Sequence, residues 1–148
     1  MVERDKPLHG LKVVDFSAVF AGPICTRLMS GSGADVIKVE PPIGGDVIRG
    51  PFGQSRLFAH FNAGKQCVAL DLATNKGQEL ARELISDADV VVENYRPGIM
   101  SKFGLDYASL SDDFPRIVYC SISGFGQTGP QVHRALSLIH ISEPTRPY

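Results

Sequence analysis

One stretch near the N-terminus restricts the fold more than any other: Asp15-Phe16-Ser17-Ala18-Val19-Phe20-Ala21-Gly22-Pro23. Before it, Leu11, Val13 and Val14 form a short apolar run with the β-branched bias of a buried strand. After it, Ile24, Leu28 and Met29 recur at helical spacing, leaving Thr26 and Arg27 free to face outward. Gly22-Pro23 marks the junction, because a proline in the first helical turn gives up an N–H that had no partner. The unit reads as strand–turn–helix, with the free N–H groups of the helix aimed into the turn, a place suited to phosphate. An ordinary βα junction has the same pattern, and this unit alone does not separate the two.

The same alternation continues along the chain. Gly31-Ser32-Gly33 ends the first helix, and Ala34 to Glu40 reads as a second strand with Val36 and Ile37 buried. Strand–helix–strand at this separation implies a right-handed parallel βαβ unit. The Pro41–Asp46 loop then lies at a strand's carboxyl end and faces one crevice with the 18–23 turn, since open α/β sheets bind ligands at those ends. Ser55 to Asn62 reads as a short helix and Gln66 to Leu72 as a strand. Asn75 is the expected cap of a longer helix whose apolar stripe is Leu80, Leu84 and Ile85. Asp89 to Asn94 is an apolar strand that ends polar, as central parallel strands do. Short helices at Ile99–Phe103 and Tyr107–Leu110 lead to a last strand, Arg116 to Ser123. Five strands alternating with helical pieces make an α/β fold with a mostly parallel sheet.

Composition narrows the function classes. The 148 residues suit one domain, and 43% hydrophobic content can build a core. A net charge of −1 argues against nucleic-acid or membrane-surface partners, which need a basic face. Cys25, Cys67 and Cys120 sit in apolar runs without metal-type spacing and read as reduced, buried small hydrophobes. No apolar run of about 18 residues is present, and the charged Met1–Leu8 segment lacks a signal core, so the expected compartment is the cytoplasm. From Leu136 the chain reads Leu-Ser-Leu-Ile-His-Ile-Ser-Glu-Pro-Thr-Arg-Pro-Tyr, which looks like a sequencing adapter translated in frame. Residues 136–148 are therefore set apart from residues 1–135 as a non-native tail, and His140 and Glu143 carry no functional weight.

Among candidate sites, Gly124-Phe125-Gly126-Gln127-Thr128-Gly129 spells G-x-G-x-x-G after a strand. A dinucleotide site needs a helix to begin there, and Pro130 with no following stripe argues against one. A glycine loop shaped for close backbone approach stays open. Lys38, Lys65, Arg96, Lys102 and Arg134 each read as surface charges; converging on one crevice, they would suit a polyphosphate. Asp71, Asp89 and Glu93 are acid/base candidates, though polar residues commonly end strands. His60 and His133 have no partner at recognisable spacing, and no nucleophile elbow, metal cluster or P-loop is present.

Together the motifs resemble the class III CoA-transferase family (the CaiB/BaiF group, which includes the alpha-methylacyl-CoA racemases). The matching stretches are Pro7 to Asp15, Ala21-Gly22-Pro23, Gly33 to Glu40, Gly45-Asp46 with Arg49, Asn62 to Lys65 leading into Val68 to Leu72, Ala88 to Gly98, and Ser123 to Pro130. They cover nearly all of residues 7–134, in matching order and spacing.

The resemblance implies a Rossmann-like CoA-binding domain with helices on both faces, a second domain further along, and an interlocked homodimer. Transferases of the family move CoA from an acyl-CoA to a free carboxylic acid, an aspartate attacking the thioester to give a mixed anhydride and then an aspartyl-CoA thioester. The racemases use a His and an Asp to move the α-proton. By position, the implied CoA contacts are Phe20 and Ala21, then Leu70, Asp71 and Leu72, then Asn94, Tyr95 and Arg96, with Lys102 where members often carry a basic residue. Coenzyme A is implied as substrate, with no prosthetic group. Pro41 stands where some transferases carry an arginine toward the nucleotide. Ala18 stands where oxalate-type enzymes carry a histidine, which argues against an oxalate/formate specificity. The family's nucleophile lies beyond the glycine-rich segment, so no residue here is named for that role and the chain as it stands is expected to be inactive. Alone, it is expected to bind CoA weakly, to expose apolar surface and to aggregate. A racemase and a non-catalytic nucleotide-binding module are the alternatives. A Gly-His-Asp after Arg134 would mark the racemase, and a gene ending naturally near this point would mark the module.

Overall fold

In the computed structural model, which describes residues 6–50, 55–132 and 134, the apolar runs form five strands. These are β1 (Lys12–Asp15), β2 (Asp35–Glu40), β3 (Gln66–Ala69), β4 (Val90–Glu93) and β5 (Val118–Ser121), in the sheet order β3-β2-β1-β4-β5. Every pairing is parallel, with Val13 opposite both Val36 and Val90 and Val14 opposite both Ile37 and Val91. The connections are α1 (Ala21–Gly31), α2 (Arg56–Asn62), α3 (Asn75–Ser86), α4 (Ile99–Lys102) and α5 (Tyr107–Leu110), with a 3-10 turn at Val47–Arg49. Right-handed crossovers put α1 and α2 on one face and α3, α4 and α5 on the other. Strand alternation accordingly splits the core. Val13, Val36, Val90 and Val92 pack beneath α1, while Val14, Val39 and Val91 pack beneath Ala81, Ile85, Met100 and Leu110. The expected α/β architecture is thus present, and the sheet is wholly rather than mostly parallel. No helix among the described residues is long and apolar enough to cross a membrane.

Several local expectations are corrected. Helix α1 buries Gly22, Pro23 and Thr26, while Ile24 and Leu28 are exposed. The reason is a buried carboxylate: Thr26 Oγ1 donates to Asp15 Oδ2 at 2.6 Å, and that bond turns the polar side inward. Helix α3 is capped by Thr74, whose hydroxyl accepts from the Gly77 amide at 3.1 Å, and Asn75 is its first residue. Its buried line is Gly77, Ala81 and Ile85, with Leu80 exposed and Leu84 partly covered. A Cβ at residue 77 would lie 1.9 Å from the Asp71 carbonyl oxygen, so only glycine lets this side of the helix approach the chain leaving β3. Ile37 is half-buried, and Cys67 is exposed because β3 is a sheet edge; Cys25 and Cys120 are partly covered. Of the 136–148 tail nothing is described, so its separate status lies outside the described residues.

Candidate functional site

Because all the strands run in one direction, their carboxyl ends, and the loops that leave them, share one edge of the sheet. Central strand β1 ends there in Asp15, whose side chain is fully buried. Its Oδ1 accepts from the Ser17 amide at 2.9 Å and from the Ser17 hydroxyl. Its Oδ2 takes Thr26 Oγ1 and, at 2.9 Å, the ammonium of Lys65. Lys65 also donates to the Pro23 carbonyl and Asn62 Oδ1, so all three of its protons are engaged. Burial holds the Lys65 ammonium below the usual lysine range, with the Asp15 charge opposing the shift.

The turn between β1 and α1 is held from several sides. Lys38, fully buried within β2, donates to the Ser17 carbonyl and pairs with Asp46 at 3.1 Å. Asn94, just past β4, accepts from the Ala18 amide at 2.8 Å and donates to the Ala18 carbonyl at 2.7 Å. The Asp46 carboxylate accepts from the Val19 amide at 3.2 and 3.3 Å. Val19 sits at φ 69°, the one non-glycine residue with a left-handed backbone among those described. Helix α1 then starts immediately against the turn: a Cβ on Gly22 would lie 2.1 Å from Ser17 Cβ.

A second pair braces the loop after β2. Glu40 binds Arg49 through two 2.6 Å hydrogen bonds and accepts from the Asp46 amide, and the guanidinium lies 3.6 Å above the Phe58 ring. Burial pushes Glu40 upward, but the Arg49 and Asp46 donors outweigh it and leave the carboxyl below its usual range. Glu93, buried at the end of β4, accepts from the Tyr95 amide and has no cation within ion-pair distance among the described residues. Burial therefore raises its pKa, with the Ser121 hydroxyl and the Tyr95 amide opposing.

Two cavities open at this edge, beside a third of about 310 Å³ between Glu40, Pro41, Pro42, Gly45, Arg49 and Ala69. One, of about 290 Å³, is lined by Ala21, Asn94, Tyr95, Arg96, Phe125 and Arg134 among others. The other, of about 210 Å³, is lined by Leu70, Asp71, Leu72, Tyr95 and Phe103 with Glu40 and Pro41. Tyr95 is a wall of both. Ala21, residues 70–72 and residues 94–96 therefore stand at one edge of the sheet. Phe20 lines neither cavity; it is half-exposed and packs edge-on against Phe61 at 5.4 Å. Lys102 is exposed on α4 and lines neither.

The five cations do not converge as one set. Lys38 and Lys65 are buried and committed to Asp46 and Asp15, correcting their reading as surface charges. Arg96 and Arg134 line the first cavity, and neither forms an ion pair among the described residues. Two guanidiniums beside the first turn of α1 make that cavity suitable for an anionic group. Asp89 lies at the opposite, amino edge, where it accepts from the Lys12 amide, and His60 packs edge-on against Phe61. Asp71 closes its own turn on the Ala73 amide. His133 lies outside the described residues. Gly124 and Phe125 line the first cavity, and the chain from there to residue 132 runs in turns and bends.

The residues that sequence reasoning missed are Ser17, Asp46 and the buried roles of Lys38 and Lys65. One signal for Lys38 was available: two residues after Val36, it shares the face of β2 that packs beneath α1.

The CoA-transferase family III model matches residues 8–137. The succinate–glutarate CoA-transferase of Agrobacterium fabrum is 44% identical over 141 residues, 88% of this chain and 35% of the relative. The succinyl-CoA:glutarate CoA-transferase of Mus musculus is 40% identical over 153 residues, 94% of this chain and 35% of the relative. A crystal structure of a CAIB/BAIF family protein from Brucella suis superposes with a TM-score of 0.83 at 45% identity, covering 89% of this chain and 37% of that one. The chain thus spans about a third of the length of the curated relatives it matches.

Proposed function

The chain belongs to CoA-transferase family III, and on that premise we propose that it supplies the coenzyme A-binding edge of an enzyme moving CoA from an acyl-CoA donor to a carboxylic acid. Ala21 and residues 94–96 bound one part of the ligand, residues 70–72 another, and Tyr95 divides the two. The Arg96 and Arg134 guanidiniums offset ligand phosphate or carboxylate charge. Phe20 and Lys102 belong to the same reading by family position rather than by the cavities. A covalent aspartyl intermediate, with its nucleophile contributed by chain not present here, and a cytoplasmic, interlocked homodimer come from the family resemblance alone. One relative is named for succinate and glutarate and another for succinyl-CoA and glutarate, which makes short dicarboxylates the first acids to assay.

The observation that carries this reading is the shared wall at Tyr95, which brings three family-implied segments to one sheet edge. Nitrogen-15 amide shifts recorded while the chain is titrated with coenzyme A test it even for weak binding. The amides of Ala21, Leu70–Leu72 and Asn94–Arg96 should move together, and R96A should weaken the titration by about tenfold, the loss of one charge-assisted contact. Shifts confined to other strands' amino ends, or none at millimolar ligand, would reject the assignment.

A further inference from the structure

Among the described residues, two unfavourable features coincide at one turn. Val19, β-branched, is held in the left-handed region at φ 69°, where side chains crowd the backbone. Beside it lies the Lys38–Asp46 pair, with both side chains 1% exposed. A buried ion pair is commonly no more stabilising than an apolar pair of equal volume, so stability alone gives little reason for it.

The geometry supplies another reason. The turn's amides at residues 17, 18 and 19 are each bound by a side chain: Asp15, Asn94 and Asp46. The Asp46 bond falls on the strained residue itself. Asp46 is fixed in turn by its own amide on Glu40 and by the Ile48 amide on its carboxylate. An unneutralised carboxylate at this turn would repel a phosphorylated or carboxylate ligand. Lys38 cancels it, and with its remaining reach holds the Ser17 carbonyl.

We infer that the buried Lys38–Asp46 pair is a positioning device, which through the Val19 amide sets the backbone that presents Ala21 to the ligand. Neither residue lines the two cavities, so the role is indirect. The inference rests on the proposal that this edge receives coenzyme A, and its test separates the two.

The obvious variant, D46N, strands a buried ammonium and can unfold the chain. The informative variant is K38M/D46L, which removes both charges and roughly keeps the volume. Three quantities are measured on the 148-residue chain: melting temperature, hydrogen exchange of the Val19 and Phe20 amides without ligand, and the coenzyme A titration by amide shifts. The expected result is a melting temperature equal to or above the parent's, turn amides exchanging at least tenfold faster, and coenzyme A affinity reduced about tenfold. Unchanged exchange at Val19 and Phe20 overturns the positioning role whether or not the parent binds coenzyme A. Faster exchange with unchanged affinity also overturns it. So does failure of K38M/D46L to fold, since the pair would then hold the whole fold and not the turn. A parent whose Ala21 amide ignores coenzyme A rejects the functional proposal instead, and the exchange measurement still decides the role of the pair.

Discussion

Lys65 Nζ lies 2.9 Å from Asp15 Oδ2, with both side chains completely buried and the two residues 50 positions apart in sequence. Removing one partner of such a pair leaves the other charged and without compensation. K65M should destabilise the chain by about 3–5 kcal/mol. D15N/K65M, which leaves no orphan charge, should recover part of that loss. Urea unfolding of the two variants measures both, and a K65M cost under about 1 kcal/mol would mean that the pair is not desolvated as described.

Gly77 touches the Asp71 carbonyl so closely that G77A must move α3 or the chain at residues 70–72. Overpacking of this kind costs about 1–3 kcal/mol. The amide shifts of Leu70 to Leu72 should change with it. A neutral G77A would show that α3 slides freely over the end of β3.

Glu93 predicts a pH dependence. Its folded-state pKa is raised by burial above the ordinary glutamate value, so the folded chain keeps a proton that the unfolded chain releases. Stability therefore declines as pH rises from about the ordinary glutamate value through the folded pKa, then levels. E93Q lacks that decline. It should melt above the parent at pH 7, and the gap should close below about pH 4.5. Parallel melting curves at all pH values would contradict the buried acid.

Glu40 predicts the opposite slope. Its carboxyl is burdened by burial but pulled below the usual range by Arg49 and the Asp46 amide. Its contribution is fully present above the ordinary glutamate pKa and is lost as pH falls through the lowered folded value. R49M removes the main donor, so acid unfolding should begin at higher pH than in the parent. Circular dichroism through an acid titration reads the midpoint directly. An unmoved midpoint would mean that the Arg49 bridge, whose side chain is 27% exposed, is screened out by solvent.

Much of the architecture was legible in the sequence because its causes are local. Runs such as Val90-Val91-Val92 cannot avoid burial, and Pro41-Pro42 or Gly124–Pro130 cannot continue a strand or helix. Alternating strands and helices then imply parallel crossovers, and parallel strands put residues 21, 70–72 and 94–96 at a common edge. Periodicity erred where one close contact outweighed it. Thr26 turns inward to a carboxylate eleven residues away, and Gly77 rather than Leu80 is buried, against the chain leaving β3.

By itself, then, the sequence determined the kinds of element, their order and the edge at which their loops gather. The tertiary structure alone decided the strand order β3-β2-β1-β4-β5, which faces of α1 and α3 are buried, and that Lys38 and Lys65 are interior ions. The physical reason is range. Propensity and periodicity act over a few residues, whereas the cost of burying a charge is met only by a partner that folding brings from elsewhere in the chain.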